Sequence, residues 1–254
     1  MQRLAGRTAL VTGASRGIGR GIARRLARDG ALVAVHYASG EAGAKETVAQ
    51  INEEGGQAFT VGGDVSEAGR IAELFTALEE ELRQHTGSAT LHILVNNAAY
   101  GGRPTLPEDV TPELLDRYLT VNARAPFLIA QRALELMPSG GRIVNISSGI
   151  TRSAQPDMIA YALSKSAVDQ LTLHLARHVA GRGITVNSVA PGRTDNGSPV
   201  FSQPAVVERM AGLSAFNRVG QVEDIADVVA FIASDDARWI TGSVIDATGG
   251  SLLG

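Results

Sequence analysis

Short runs of β-branched and aliphatic residues recur along the chain. Most are followed by a turn rich in Gly, Ser or Pro and then by a segment whose apolar positions fall three or four apart. The first kind of run reads as a buried strand and the second as an amphipathic helix. On this pattern strands are predicted at Thr8–Val11, Ala31–Val35, Ala58–Val61, Leu91–Val95, Arg142–Ile146, Gly183–Val189 and Ser243–Ala247. A helix is predicted from Ile18, with Ile22, Ala23 and Leu26 on one side and Arg20, Arg24, Arg25 and Arg28 on the other. Further helices are predicted over 42–54, stopped by Gly55-Gly56, near 67–83, over 112–136 with an interruption at Pro126, and over Glu223–Ala233. One more starts at Tyr161, with Ala167, Val168, Leu171, Leu175 and Val179 along its apolar stripe. Gln84–Thr90, Tyr100–Pro107 and the breaker-rich stretch to about Phe216 read as loops. Strand and helix alternate from end to end, which predicts an α/β fold: a doubly wound parallel sheet of about seven strands between two helical layers.

Composition changes this picture little. The chain has 254 residues, 44% of them hydrophobic and 19% charged, and no shift in composition marks a linker, so a single domain over 1–254 is expected. A net charge of −3 without a basic block argues against nucleic acid or an anionic membrane surface as partner. There is no cysteine, hence no disulfide and no thiolate chemistry. The residues from Met1 to Arg7 contain no signal-peptide core and no apolar run reaches membrane-spanning length, so a cytoplasmic protein is expected.

Candidate chemistry sits at the ends of the predicted strands. Thr12-Gly13-Ala14-Ser15-Arg16-Gly17-Ile18-Gly19 lies between a strand and a helix, the context in which glycines let a backbone approach a pyrophosphate at a helix N-terminus. The second strand ends in His36-Tyr37-Ala38-Ser39, with no acid to bind a free ribose 2′-hydroxyl, while Arg16 puts a cation in the glycine loop. That combination favours a 2′-phosphate, hence NADP(H) over NAD(H); the alternative is a merely solvated Arg16. Asp64 at the third strand's end either accepts from an adenine amino group or caps the next helix. Tyr161 and Lys165 lie four apart, so on a helix they share a face. An ammonium near a phenol favours the phenolate and draws its pKa down toward neutrality, and Ser148 at a strand end offers a hydroxyl to a substrate oxygen. Such pairs also arise by chance. Asn122 before the helix break either carries a proton relay or satisfies freed backbone groups. His174 and His178 also lie four apart, but without a third ligand they read as a solvent or subunit-packing face, and no metal is expected.

Taken in order, the glycine pattern Thr12–Gly19, Asn96-Asn97-Ala98, Ser148, Tyr161 with Lys165 thirteen residues past that serine, and Pro191-Gly192 resemble the short-chain dehydrogenase/reductase family of the compact type. The resemblance covers essentially the whole chain and is nearest to 3-oxoacyl-thioester reductase-like enzymes and related NADPH-dependent carbonyl reductases, including ketoreductases of secondary metabolism. It implies a Rossmann-type fold, with Tyr161 as general acid/base, Lys165 lowering its pKa and holding the nicotinamide ribose, and Ser148 polarising the carbonyl. It implies too that Asn122 holds a water linking Lys165 to solvent. Cofactor contacts are implied for Gly13, Ser15, Arg16, Gly17, Ile18 and Gly19 at the phosphates, with Tyr37, Ala38 and Ser39 beyond them. They are implied for Asp64 and Val65 at the adenine, Asn96 and Ala98 on the adenosine side, and Pro191, Gly192 and Thr194 toward the carboxamide. A ketone or alcohol is the implied substrate and a homotetramer or homodimer the implied assembly. Rival readings are a sugar, steroid or other secondary-alcohol dehydrogenase, or a nucleotide-sensing relative without catalysis. Ala99, Asn196 and Thr248 depart from the family's usual Gly, Thr and Asp. The substrate is expected to meet the loop near 193–217, Gly149–Met158 and Tyr100–Pro104, with Ile150, Met158, Phe201, Met210 and Phe216 forming either an apolar pocket or core.

Overall fold

Ala9 and Val11 face one helical layer and Leu10 the other, and all three are buried. A strand covered on both faces requires such an unbroken apolar run. The structure, a computed structural model describing residues 2–253, buries its inner strands almost throughout and leaves the two edge strands of its sheet partly exposed. Strands β1 (Thr8–Val11), β2 (Leu32–Tyr37), β3 (Gln57–Gly62), β4 (Ile93–Asn96), β5 (Arg142–Ile146), β6 (Thr185–Pro191) and β9 (Val244–Ala247) form one parallel sheet in the order β3-β2-β1-β4-β5-β6-β9. Helices α1 (Gly17–Arg28), α2 (Glu41–Glu53) and α8 (Val222–Ala233) cover one face. Helices α3 (Ala68–Thr86), α5 (Ala125–Leu136) and α6 (Ile159–Val179) cover the other. The doubly wound, three-layer architecture is the one the pattern predicts.

Differences at the element ends have local causes. Helix α3 continues to Thr86 and stops at Gly87, whose φ of +77° is the left-handed stop that glycine accepts freely, so the loop expected from Gln84 starts three residues later. Helix α6 begins at Ile159, which puts Tyr161 in its first turn. The break expected at Pro126 lies one turn earlier. Helix α4 (Pro112–Leu119) runs into a π-helical turn over Thr120–Arg124 before α5 resumes. Pro126 has no N–H for the carbonyl four residues back, and its ring crowds that carbonyl, so the helix widens at Asn122 while Pro126 itself sits in the first turn of α5. The breaker-rich stretch after β6 holds more structure than expected. Strand β7 (Thr194–Asp195) pairs in parallel with β8 (Gly220–Gln221), and α7 (Pro204–Ala211) lies between them. Ala99 carries no strain: Asn217 is the one non-glycine residue with positive φ among the described residues.

At the amino edge of the sheet one guanidinium ties several carbonyls together. Arg142 is 5% exposed, and it donates to the carbonyls of Gly140, Gly141 and Ser234 and to the Asp235 carboxylate. Arg142→Ala strands those acceptors and is expected to lower unfolding free energy by about 3 kcal/mol at unchanged denaturant slope. A loss below about 1 kcal/mol in urea unfolding would mean that water replaces the guanidinium there.

Candidate active site

The chain order doubles back at β1: β2 and β3 lie to one side of it and β4 to the other. Loops leaving the carboxyl ends of β1 and β4 therefore diverge and leave a crevice, the usual ligand position in an open parallel sheet. The loop from Thr12 to Arg16 fills one lip, and its shape is over-determined. Gly13 and Gly17 have φ of +65° and +57°. A Cβ on Gly13 would meet the Ala98 Cα at 2.9 Å, and one on Gly19 would meet the Gly13 carbonyl oxygen at 2.4 Å. Asn97 donates its amide to the carbonyls of Thr12 and Gly13, while the Thr12 hydroxyl accepts from the backbone N–H groups of Asn97 and Ala98. From the other side Arg20 donates to the Ser15 carbonyl at 2.8 Å, and Thr47 donates to that of Ala14.

What this lip presents is positive. The first turn of α1 holds no acidic residue, its N-cap Arg16 makes no side-chain cap, and the Arg16 side chain is exposed. Ile18 lies half-buried in the same turn. An uncapped helix N-terminus with an adjoining guanidinium fits a dinucleotide's phosphates. Past Ser15 the surface opens, beside exposed Ala38 and Ser39, into a hollow of about 440 Å³ lined by Tyr37, Ala38, Gly63, Asp64 and Arg70 among others. Asp64 does not cap α3, whose N-cap is Glu67; it accepts from the Ser66 N–H, and that bond holds its carboxyl below the ordinary range. The Val65 side chain lies in the core under α3.

The site residues from β4 onward divide into those that face the crevice and those that support it. The Asn96 side chain turns into the interior and donates to Asn145 and to the Pro126 carbonyl, whereas its neighbour Asn97, passed over in the sequence, secures the glycine loop. Ser147 is buried with its hydroxyl unpaired, and the next residue, Ser148, is half-buried on the side of Tyr161. A hydrogen bond from Ser148 lowers the Tyr161 phenol, yet burial outweighs it and pushes the phenol up to about 12. The expectation that Lys165 draws the phenol toward neutrality is therefore not met. The ammonium donates to the Ile146 carbonyl at 2.7 Å and lies 5.9 Å from the Tyr161 ring centre, and its own burial takes it down to about 8. Asn122 is fully engaged as a donor: its amide reaches the Tyr100 carbonyl and the Ser164 hydroxyl, and its oxygen accepts from the Tyr100 N–H. Thr194 is buried, with its hydroxyl on the Gly192 carbonyl next to Pro191, while the following loop brings Asn196 against Gly17.

One more residue escaped the sequence reading. Tyr118 is 1% exposed, and its hydroxyl accepts from the Arg103 N–H and donates to the Gly101 carbonyl. Its ring meets those of Tyr100 and Tyr161 at 5.1 and 5.9 Å, and Arg117 covers the other ring of that pair, Tyr100, at 4.3 Å. The segment 100–103 is thereby laid along the Tyr161 ring, so closely that a Cβ on Gly102 would meet that ring at 3.0 Å. A buried tyrosine two turns into a helix gave no such signal by spacing alone. Ile150, Met158, Phe201 and Met210 are half-buried and Phe216 is 71% exposed, so none of the five belongs to the core.

Comparison with known proteins agrees with this geometry. A family described as enoyl-(acyl carrier protein) reductase matches residues 13–251. A short-chain type dehydrogenase/reductase of Picea abies is 40% identical over 261 aligned positions, covering 98% of this chain and 93% of its own. Among solved structures, the promiscuous reductase LugOII, which catalyses keto-reduction at C1 during lugdunomycin biosynthesis, superposes with a TM-score of 0.97 at 63% identity, covering 99% of this chain and all of its own (100%). The angucycline C-6 ketoreductase LanV with bound NADP gives 0.96 at 56%, covering 99% and 98%. LanV is also solved with NADP and rabelomycin. By sequence and by structure alike, the chain belongs to the short-chain dehydrogenase/reductase family and is an oxidoreductase.

Proposed function

We propose that this protein is an NADPH-dependent ketoreductase that reduces a ketone on a polycyclic aromatic polyketide to a secondary alcohol. The observation that carries the reading is the meeting of Ser148, Tyr161 and Lys165 at the carboxyl edge, across the crevice from a positively charged glycine lip. Similarity to LugOII, a reductase of lugdunomycin biosynthesis, and to LanV, an angucycline C-6 ketoreductase solved with NADP and rabelomycin, supports the substrate class. NADPH supplies a hydride. The Arg16 guanidinium and the N–H groups opening α1 hold its phosphates. Ser148 donates a hydrogen bond to the ketone oxygen as negative charge grows on it. Tyr161 then gives its proton to that oxygen and regains one from solvent. A phenol raised to about 12 carries its proton throughout the neutral range, which suits an acid serving the reductive direction. Lys165, still an ammonium at neutral pH, orients the ribose and stabilises the phenolate left behind. Half-buried Ile150, Met158, Phe201 and Met210 offer apolar walls to a flat substrate, with the 100–103 segment as floor. Exposed Leu119, Phe127, Leu163 and Leu173 on α4, α5 and α6 support assembly as a homotetramer or homodimer.

Removing the Tyr161 hydroxyl tests the assignment directly. Tyr161→Phe is expected to lower kcat by at least about a thousandfold while NADPH binding, read by calorimetry, stays within about twofold. A rate near wild type with an aromatic polyketide ketone would end the proposal. Arg16→Ala is expected to weaken NADPH ten- to hundredfold, roughly the worth of a charged hydrogen bond, and to leave NADH unchanged. Equal losses for both cofactors would remove the 2′-phosphate role. Lys165→Met separates function from stability. With a folded pKa of about 8 against an ordinary 10.5, the buried ammonium costs stability in full below pH 8, progressively less up to 10.5, and nothing above. Allowing for the lost bond to Ile146, the variant is expected to gain about 2 kcal/mol at pH 7, with the gain shrinking as pH rises and turnover lost. A destabilised Lys165→Met protein at pH 7 would show the ammonium to be well compensated.

A further inference from the structure

His36 is a buried titratable group that the reaction above does not use. It lies in β2, 1% exposed, and it touches the glycine lip twice and Gly63 once. Its Nδ1 is 3.0 Å from the Gly13 nitrogen, its Nε2 is 2.8 Å from the Gly63 oxygen, and its own carbonyl accepts from the Ala14 N–H at 2.8 Å. The partners settle the tautomer. A backbone N–H only donates, so Nδ1 must offer its lone pair; a backbone carbonyl only accepts, so Nε2 must carry the hydrogen. Gly13 cannot move to another acceptor, because Ala98 lies against its Cα and Asn97 holds its carbonyl. Gly63, the other partner, lines the hollow beside Asp64.

We propose that His36 is a positioning residue for the dinucleotide loop: its neutral Nε2–H imidazole hangs Gly13 and Ala14 in binding shape, and a second proton at Nδ1 releases them and weakens cofactor binding. The inference rests on the reading of this lip as the NADP site. A proton on Nδ1 would face the Gly13 N–H at 3.0 Å, donor against donor. The imidazolium would keep one hydrogen-bond partner, the Gly63 carbonyl, and none at Nδ1. Burial dominates and depresses the imidazole; the Gly63 carbonyl and then Asp64, itself already bonded to Ser66, favour the charged form without outweighing it. The charge thus appears only below the ordinary histidine range near pH 6.5, and the held loop is present above that and lost as pH falls.

The test is calorimetric titration with NADP+, which is stable in acid, between pH 5 and 8, on the wild type, His36→Asn and His36→Leu, each checked by thermal melting. The asparagine oxygen can replace Nδ1 as acceptor for Gly13 and does not titrate. His36→Leu is expected to bind about tenfold more weakly across the range, and His36→Asn within about threefold of wild type at pH 7.5. The 2′-phosphate itself takes up a proton near pH 6, so the acid loss is read as a difference: from pH 7.5 to 5 the wild type is expected to lose about tenfold more affinity than His36→Asn. Equal acid losses in these two proteins, or wild-type affinity in a folded His36→Leu, would overturn the role of His36. A wild type that binds no NADP+ at pH 7.5 would overturn the cofactor reading as well, and is distinguishable by that result alone.

Discussion

The ammonium of Lys165 is the most costly group this fold keeps, and much of the site is arranged to hold it. It is 3% exposed, with one protein hydrogen bond, to the carbonyl that ends β5. An ion so placed loses its hydration and regains little, which is why its pKa falls and why the helix bearing it must be fixed from elsewhere. The same burial acts in the opposite sense on the phenol four residues earlier. Desolvation thus moves the two groups apart in pKa, from nearly equal ordinary values to about 12 for the phenol and about 8 for the ammonium. A proton on the phenol and a charge on the lysine nevertheless coexist at neutral pH, the combination a proton donor with a ready charge acceptor behind it requires.

The widened turn at Thr120–Arg124 gives the substrate side its shape. Tyr118 precedes it and Asn122 lies within it, and both side chains point at one loop: Asn122 holds both backbone groups of Tyr100, and Tyr118 holds Gly101 and Arg103. An irregular helix is a fitting device here, because an ideal one would have offered the loop a single row of side chains at fixed phase. Glycine at 102 lets the loop come this close, since a Cβ there would press on the end of Met158 at 2.4 Å and on the Tyr161 ring at 3.0 Å. A proline two residues into α5 therefore acts on the Tyr161 ring through the loop that rests on it.

Much of this was legible in the sequence because it depends on local rules. Short continuous apolar runs mark the strands and period-3.6 spacing the helices between them, and glycines between a strand and a helix announce the nucleotide lip. What was not legible depends on distant groups. Asn97 and Asn96 look alike in sequence, and only the strand's pleat decides that one faces the glycine loop and the other the interior. Ser147 and Ser148 part company in the same way. The spacing of Tyr161 and Lys165 was read correctly as one helical face, but the phenol's pKa was not, since spacing says nothing of how much water either group keeps. Arg20 appeared to be one of four solvent-side arginines on α1; it is the one that α2 turns inward to hold Ser15.

How α6 keeps its place under these constraints follows from its buried face. Ser164, Lys165, Val168 and Thr172 lie along it. Thr172 accepts from Asn145 on β5 at 2.8 Å and pairs with Ser188 on β6 at 2.7 Å, while Asn145 accepts in turn from Asn96 on β4. The helix is thus pinned to three adjacent strands by a chain of neutral hydrogen bonds two turns below the lysine. Ser164 adds a fourth attachment through Asn122. Apolar packing alone tolerates sliding by a fraction of a turn, whereas hydrogen bonds with fixed partners set the axial position. Placement of a buried ammonium and the phenol beside it to within tenths of an ångström needs that second kind of contact. The buried polar residues Asn96, Asn145 and Ser188 in these strands are therefore best understood as the register of α6, not as defects of the core.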